Sequence, residues 1–526
     1  MAHEPQALDR ATSEGGAEAQ RVHARRWLVL ALVCSGLLLV AMDATVLNVA
    51  LPSIAQALGP SSVQLLWIID LYSLVVAALL VFAGSLSDRF GRRRMFVIGL
   101  VLFGLASFPA AYADSAELLI ASRALRGVGG ALIMPATLSI IRNVFTSTRE
   151  RWLAIAIWSS TASAGTALGP ILAGVLLERY WWGSVFLLTI PPVIIALVGT
   201  ALWVPESRDP NPGSIDVLSA LLSVVGMLGI VYSIKELAKY GFGDGMAASV
   251  GLLGLVAMAA FVARQRRLAY PMIDLTLFRT WRFSTSALAV MLSFFGFFAL
   301  LFFITQYFQL VRGLSPLETG VRLLPLAVAS AVAAPLTGSF VRRLGTRVTL
   351  SGGFLTIAFA MALFATLGGG SGELLVAAGL VLMGFGASVT VTAGSQAIMG
   401  SAPADRAGGA AAVQETSFEL GAGLGVALMG SLMGAVYGRS LPDVSGVSAS
   451  VLDTARESLP TAADQAARLG EAGERLFAAA KEAFFDGFGV TMLAGVAVML
   501  ATALLAFLYL PNRTAEAAEG PGSSEW

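Results

Sequence analysis

Four carboxylates stand inside long apolar runs: Asp43 in "LLVAMDATVLNVALP", Asp70 in "LWIIDLYSLV", and Glu415 with Glu419 in "AAAVQETSFELGAGLG". A guanidinium, Arg123, does the same in "LLIASRALRGVGGALIMPATLSIIRNVF". An ionisable group at the centre of a bilayer costs about 2.5 to 3.5 kcal/mol on insertion scales, so such groups face a bundle interior and take a partner. Glu415 and Glu419 share one face of a helix, where close carboxylates repel and reversible protonation is favoured. The only histidines, His3 and His23, lie in the polar N-terminal stretch, which leaves carboxylates to carry protons. Asp43 has two readings, a proton or cation site and a structural counter-ion of Arg123. Asp70 likewise either binds a cation or is a structural partner near the outer surface. Trp67, Tyr72, Phe302, Phe303, Tyr307 and Phe418 lie in the same apolar runs. Carboxylates with aromatic faces suit lipophilic cations, although each ring can equally pack against helices or lipid.

These residues need a membrane around them, and composition supplies it. The chain is 56% hydrophobic and 13% charged, with 56 glycines and a mean hydropathy of +0.78, outside the range of soluble globular chains. Continuous small-residue-rich runs such as "LLVAAGLVLMGFGASVTVTAGS" predict packed helices rather than barrel strands. The lone Cys34 excludes an intrachain disulfide and a cysteine metal site, and no metal or other cofactor is expected. "MAHEPQALDRATSEGG" is not a cleavable signal peptide. No phosphate-cradling loop points to ATP, no nucleophile and base pair points to an enzyme, and no nucleic-acid partner is expected.

Spans are predicted near residues 27–50, 63–83, 94–113, 117–141, 151–177, 184–204, 215–235 and 247–264. Six more follow near 283–310, 321–341, 347–367, 373–398, 407–436 and 486–510. The fold expected is therefore an all-α membrane protein of fourteen transmembrane helices. Arg25 and Arg26, Arg92 to Arg94, Arg149 and Arg151, Arg264 to Arg267, and Arg342 to Arg347 fall before the first span or in alternate loops. The positive-inside rule makes those loops and both termini cytoplasmic. Arg179, Lys235, Lys239 and Arg312 are assigned to the opposite loops. The connection 437–485 is long for a loop and rich in helix formers, so a two-helix hairpin over the outer mouth is expected.

"GSLSDRFGRRR" (84–94) and "GSFVRRLGTRV" (338–348) repeat one glycine spacing and one basic end. Each sits between the second and third spans of a six-helix set. The parse is a cytoplasmic tail (1–26), a first six-helix half (27–204), an inserted helix pair with flanking loops (205–280), a second half (281–510) and a cytoplasmic tail (511–526). Repeated halves bind substrate at their interface near the midplane and expose it alternately.

At "GSLSDRFGRRR" the chain resembles the major facilitator superfamily, which implies a gate role for Gly84, Asp88, Gly91 and Arg92. "TASAGTALGPILAGVL" places Gly165, Gly169, Pro170 and Gly174 on the fifth span. Physics alone reads them as close helix packing; they also look like the antiporter motif of the drug-exporting facilitators. "RALRGVGGA" is similar to the fourth-span motif linked to proton transfer, with Arg126 where glutamine is common. Arg126 either snorkels or adds positive potential. With "MDATVLNVALP", "LWIIDLYSLV" and "VPESRDP", the similarity narrows to the fourteen-span drug:proton antiporter branch, the bacterial efflux pumps for quaternary ammonium compounds, biocides and dyes. The resemblance implies a monomer in the bacterial cytoplasmic membrane that exchanges lipophilic cations for protons. It assigns proton coupling to Asp43, Arg123 and Glu419, with Glu415 and Asp70 among the substrate-binding groups. Some relatives carry an acid on the tenth span where this chain has Ser330, which implies a preference for monovalent cations. Export of one endogenous product, an antibiotic or a lipid, is the alternative.

Overall fold

The computed structural model describes residues 4–208, 216–240, 245–268, 271–370, 372–401 and 407–510. α1 (Glu4–Leu58) carries the first apolar run, and α2 (Ser62–Phe90) follows. Ser61 opens α2 with a capping box: its hydroxyl accepts the Gln64 N–H at 3.3 Å and its own N–H donates to Gln64 Oε1 at 2.9 Å. That arrangement satisfies two donors that a helix start leaves free. α3 (Arg92–Ala111), α4 (Ala116–Val144), α5 (Thr148–Leu177), the single turn α6 (Ser184–Leu187) and α7 (Ile190–Trp203) complete the first set. An apolar core around Val33, Phe96, Phe103, Ile133 and Val193 joins α1, α3, α4 and α7.

α8 (Val217–Tyr240) and α9 (Gly245–Gln265) pack against each other. They come within backbone distance because Gly226, Gly229 and Gly254 present no side chain at the crossing. Asp216, just ahead of α8, accepts from Arg264 Nη2 of α9 and from the Ser219 N–H, at 3.0 Å and 3.1 Å. Burial pushes the Asp216 carboxyl up, but these bonds outweigh it and hold the group below its usual range. α8 lies along the seam between α2 and a later helix that carries Ala427, where Leu74, Ala78, Val231 and Ala427 form one apolar cluster. Predicted to stop near 235, α8 runs on to Tyr240. Lys235 is consequently not a loop residue but a buried one within the helix.

α10 (Trp281–Gln306) ends in a π-turn, Tyr307–Val311. α11 (Pro316–Arg322), α12 (Leu324–Ala365), α13 (Glu373–Met399) and α14 (Ala407–Ser440) follow. α12 is two spans joined at Gly345, which has φ 83° and ψ 160°. Gly91, at the equivalent place in the repeated motif, has φ 116° and ψ 132° between α2 and α3. Only glycine takes such a positive φ without strain, so the repeat is one of backbone turn as well as of residue type. Among the described residues twelve helices are long and apolar enough to cross a membrane, with Pro316–Ala365 counted once; α5 adds the shorter apolar stretch Ala164–Leu177.

The expected hairpin takes another form. α15 (Ala449–Ala455) and α16 (Leu459–Ala466) are separate short helices, and α17 (Glu471–Tyr509) starts well before the expected 486. "EAGERLFAAAKEAFF" has no proline and a single glycine, Gly473, amid strong helix formers, so the last helix continues out of the apolar layer as one piece. Tyr437 Oη donates to Ala455 O at 3.0 Å and ties α15 to α14.

Candidate functional site

Asp43 is 3% exposed. Arg123 Nη1 and Arg126 Nη2, one turn apart on α4, each donate to one oxygen of its carboxylate. Arg123 also reaches across to α2, donating from Nε to Ile68 O at 2.9 Å. Its guanidinium carbon stands 4.7 Å from the centre of the Tyr72 ring. Arg126 donates to Ser107 Oγ of α3 and lies 4.2 Å from the Phe103 ring centre. Two cations thus surround one anion, and the group clamps α1, α2, α3 and α4 together. Arg126, fully buried, does not snorkel, because Asp43, Ser107 and two aromatic faces give its charge partners inside the bundle.

Glu419 projects from α14 toward α2. It reaches the Ser73 hydroxyl and lies in the field of both Arg123 and Asp43. Glu415 adjoins it one turn earlier, and Tyr72 feels the charges of Asp43 and Glu419 alike. The approach is set by glycine. A Cβ on Gly423 would stand 2.7 Å from Leu74 Cδ2 and one on Gly430 2.5 Å from Leu66 Cδ2, so α2 and α14 close up only because those positions are bare. The structure therefore brings Asp43, Arg123, Tyr72, Glu415 and Glu419 into one neighbourhood.

The remaining candidates divide. Asp70 is fully enclosed: Lys235 Nζ lies 2.9 Å and 2.8 Å from its two oxygens and 3.8 Å from the Trp67 ring centre. Its side chain is enclosed by protein rather than open to solvent. Phe418 stacks on Phe294 at 4.6 Å, near the acids. Phe302 and Phe303 lie about two turns farther along α10, roughly 12 Å away along the axis. There they line a small cavity with Gln306, Tyr437, Glu457 and Leu459. Phe303 packs on Phe488, and Tyr307 on Phe485. These three rings belong to packing at the end beneath α15 and α16, remote from the acids. Ser330 Oγ donates to Gly384 O at 2.9 Å and serves the α12–α13 contact.

At the α2–α3 junction Asp88 accepts from Arg92 at 3.0 Å, one turn on. Glu206, beyond α7, caps α3 by accepting the N–H groups of Arg93 and Arg94 at 3.1 Å and 3.2 Å. Its carboxylate occupies the space a side chain on Gly91 would need. Gly84 lies on α2, with Pro135 of α4 opposite. On α5, a Cβ at Gly165 would meet Ala41 at 2.8 Å and one at Gly169 would meet Thr45 Oγ1 at 2.2 Å, both on α1. Gly174 faces Leu317 of α11, and Gly320 faces the Pro170 carbonyl. The motif therefore joins α5 both to α1 and to a helix of the second set. Ser73, Ser107, Glu206 and Lys235 were not assigned to the site from the sequence. In the sequence Lys235 opens the charged end of an apolar run, "GIVYSIKELAKY", with Glu236 and Lys239 close behind, and so reads as a loop residue.

A bundle of apolar helices that keeps its charges inside, paired and shared between helices, is a polytopic membrane protein, and the family it matches makes it a transporter rather than an enzyme. The chain belongs to the Major Facilitator Superfamily, which it matches over residues 33–426. It is 42% identical to the multidrug efflux pump LfrA of Mycolicibacterium smegmatis, over 93% of this chain and 97% of the relative. It is 37% identical to the methyl viologen resistance protein SmvA of Salmonella typhimurium, over 91% and 97%. The tetracenomycin C resistance and export protein of Streptomyces glaucescens is 33% identical over 81% and 79%. In fold the chain resembles a bacterial homologue of the human lysosomal transporter Spinster, with a TM-score of 0.66 at 18% identity, covering 92% of this chain and 97% of that one.

Proposed function

We propose that this transporter is a drug exporter of fourteen spans that expels lipophilic cations in exchange for protons. The observation that carries the reading is Glu419, with Glu415 one turn away on the same helix, set against Tyr72, Ser73 and the Asp43–Arg123 pair. Carboxylates within a low-dielectric bundle bind either a proton or a cation, and competition between the two is what an exchanger requires. In the outward-facing state protons neutralise the acids and release the cation; inward-facing deprotonation restores affinity. One charge moving through 100 mV is worth about 2.3 kcal/mol and one pH unit about 1.4 kcal/mol, enough to drive a useful concentration ratio.

The efflux and resistance functions in the relatives' names support this reading. The Arg-rich loops orient both termini to the cytoplasm, and the chain works as a monomer in the bacterial cytoplasmic membrane without a cofactor. A dedicated exporter of one endogenous product is the second reading, favoured by the tetracenomycin relative. The test is ethidium transport in everted vesicles with an imposed pH gradient, comparing the native chain with Glu419→Gln and Asp43→Asn. Proton-driven transport is expected in the native chain and lost in both variants. Unchanged transport in both variants refutes the site, and absence of any dye transport by the native chain favours the dedicated exporter.

A further inference from the structure

Near the end of the apolar span of α8, Lys235 places an ammonium inside the bundle with 1% of its surface exposed. A carboxylate on one side and an aromatic face on the other is an arrangement that receives an organic ammonium ion. Asp70 and Trp67 make that arrangement on α2, and its occupant is the chain's own lysine. Both carboxylate oxygens lie against Nζ, so Asp70 presents no free charge to a second cation.

This enclosed pair adjoins the acids of the exchange site. Glu419 reaches Ser73, about one helical turn along α2 from Asp70. Gly423 of α14 packs beside it, the place of its missing Cβ 3.7 Å from the Asp70 carbonyl oxygen. A positive charge bound at Asp70 and another bound at Glu419 would thus stand roughly one to two turns apart, about 5 to 10 Å. That is the separation of the two charges in a compact organic dication.

We propose that Lys235 is a specificity-determining residue: by occupying Asp70 and Trp67 it withdraws one carboxylate from the cavity and restricts the substrate to a single positive charge. Without its ammonium, the same pocket receives the second charge of a dication. The proposal rests on the cation-exchange reading above.

The full-length protein in detergent tests it, with binding of tetraphenylphosphonium (one charge) and methyl viologen (two charges) followed by titration calorimetry. Lys235→Met is expected to raise affinity for methyl viologen relative to tetraphenylphosphonium by about tenfold or more, since a freed charge acts at close range in a low dielectric. Lys235→Met/Asp70→Asn should return the ratio to the native value. Asp70→Asn alone leaves the ammonium without its counter-ion and should move the ratio below native. A folded Lys235→Met with an unchanged ratio overturns the proposal. Should that variant not fold, an Asp70→Asn ratio at or above native overturns it, and a lowered one supports it. If the native chain binds neither probe, the cation-exchange reading itself fails. If it binds tetraphenylphosphonium while no variant shifts the ratio, only the role of Lys235 fails.

Discussion

Replacing Asp43 by Asn tests the charge arrangement of the bundle core. The native group is two guanidiniums around one carboxylate, all 3% exposed or less. The amide offers one acceptor oxygen and turns an N–H donor toward the other arginine, so both cations lose their counter-charge and one faces a donor. Breaking a buried ion pair by removing one partner costs about 3 to 5 kcal/mol. Asp43→Asn should fall at the upper end of that range, because two charges are orphaned at once. Arg126→Gln should be milder, since Asp43 and Arg123 remain as a neutral pair and the loss is confined to its own bonds to Asp43 and Ser107 and its contact with the Phe103 face. Such contacts are worth about 1 to 3 kcal/mol together. Thermal unfolding of the purified protein in detergent, read by intrinsic fluorescence, should therefore rank native above Arg126→Gln above Asp43→Asn. If Arg126→Gln unfolds at or below the temperature of Asp43→Asn, charge balance does not govern this cluster and the reasoning fails.

Three further outcomes follow from named contacts. Gly169→Val places carbon atoms where Thr45 stands, 2.2 Å from the first of them. Overpacking costs about 1 to 3 kcal/mol, so unfolding temperature should drop, and Thr45→Ala in the same chain should recover part of the loss. Gly91→Ala meets the Glu206 carboxylate at 2.6 Å in a backbone conformation with φ 116°. A strain of about 1 to 3 kcal/mol is expected, visible as lower thermal stability than that of an Ala substitution at the exposed Gly352. The depressed Asp216 carboxyl gives a pH signature. A group whose folded pKa lies below its unfolded value contributes its full stability above the unfolded pKa, near 4, and loses it as pH falls through the folded one. Asp216→Asn should therefore unfold at lower temperature than the native chain at pH 7, with the difference shrinking below pH 4.

Membrane residence, the helical class, the apolar setting of the acids and the repeated glycine spacing were all legible in the sequence. Each depends on local chemistry: apolar length sets a span, and a glycine at the eighth position of both "GSLSDRFGRRR" and "GSFVRRLGTRV" takes a backbone turn that side chains oppose. The antiporter glycines were also readable as sites of close approach, though not that Gly165 and Gly169 face α1 while Gly174 faces α11. Helix ends were less legible, because amphipathic helix formers continue a helix past the apolar layer, as in α8 and α17.

Tertiary structure alone decided which charges meet. Asp43 lies 80 residues from Arg123, and Asp70 lies 165 from Lys235. Spacing along one helix says which face a charge occupies, but its partner depends on which helices cross and at what depth. The same reason separates Phe302 and Phe303 from Glu419: a shared span guarantees neither a shared level nor a shared face. Helix crossings arise from packing summed over many small residues, so the pairing of charges belongs to the assembled bundle.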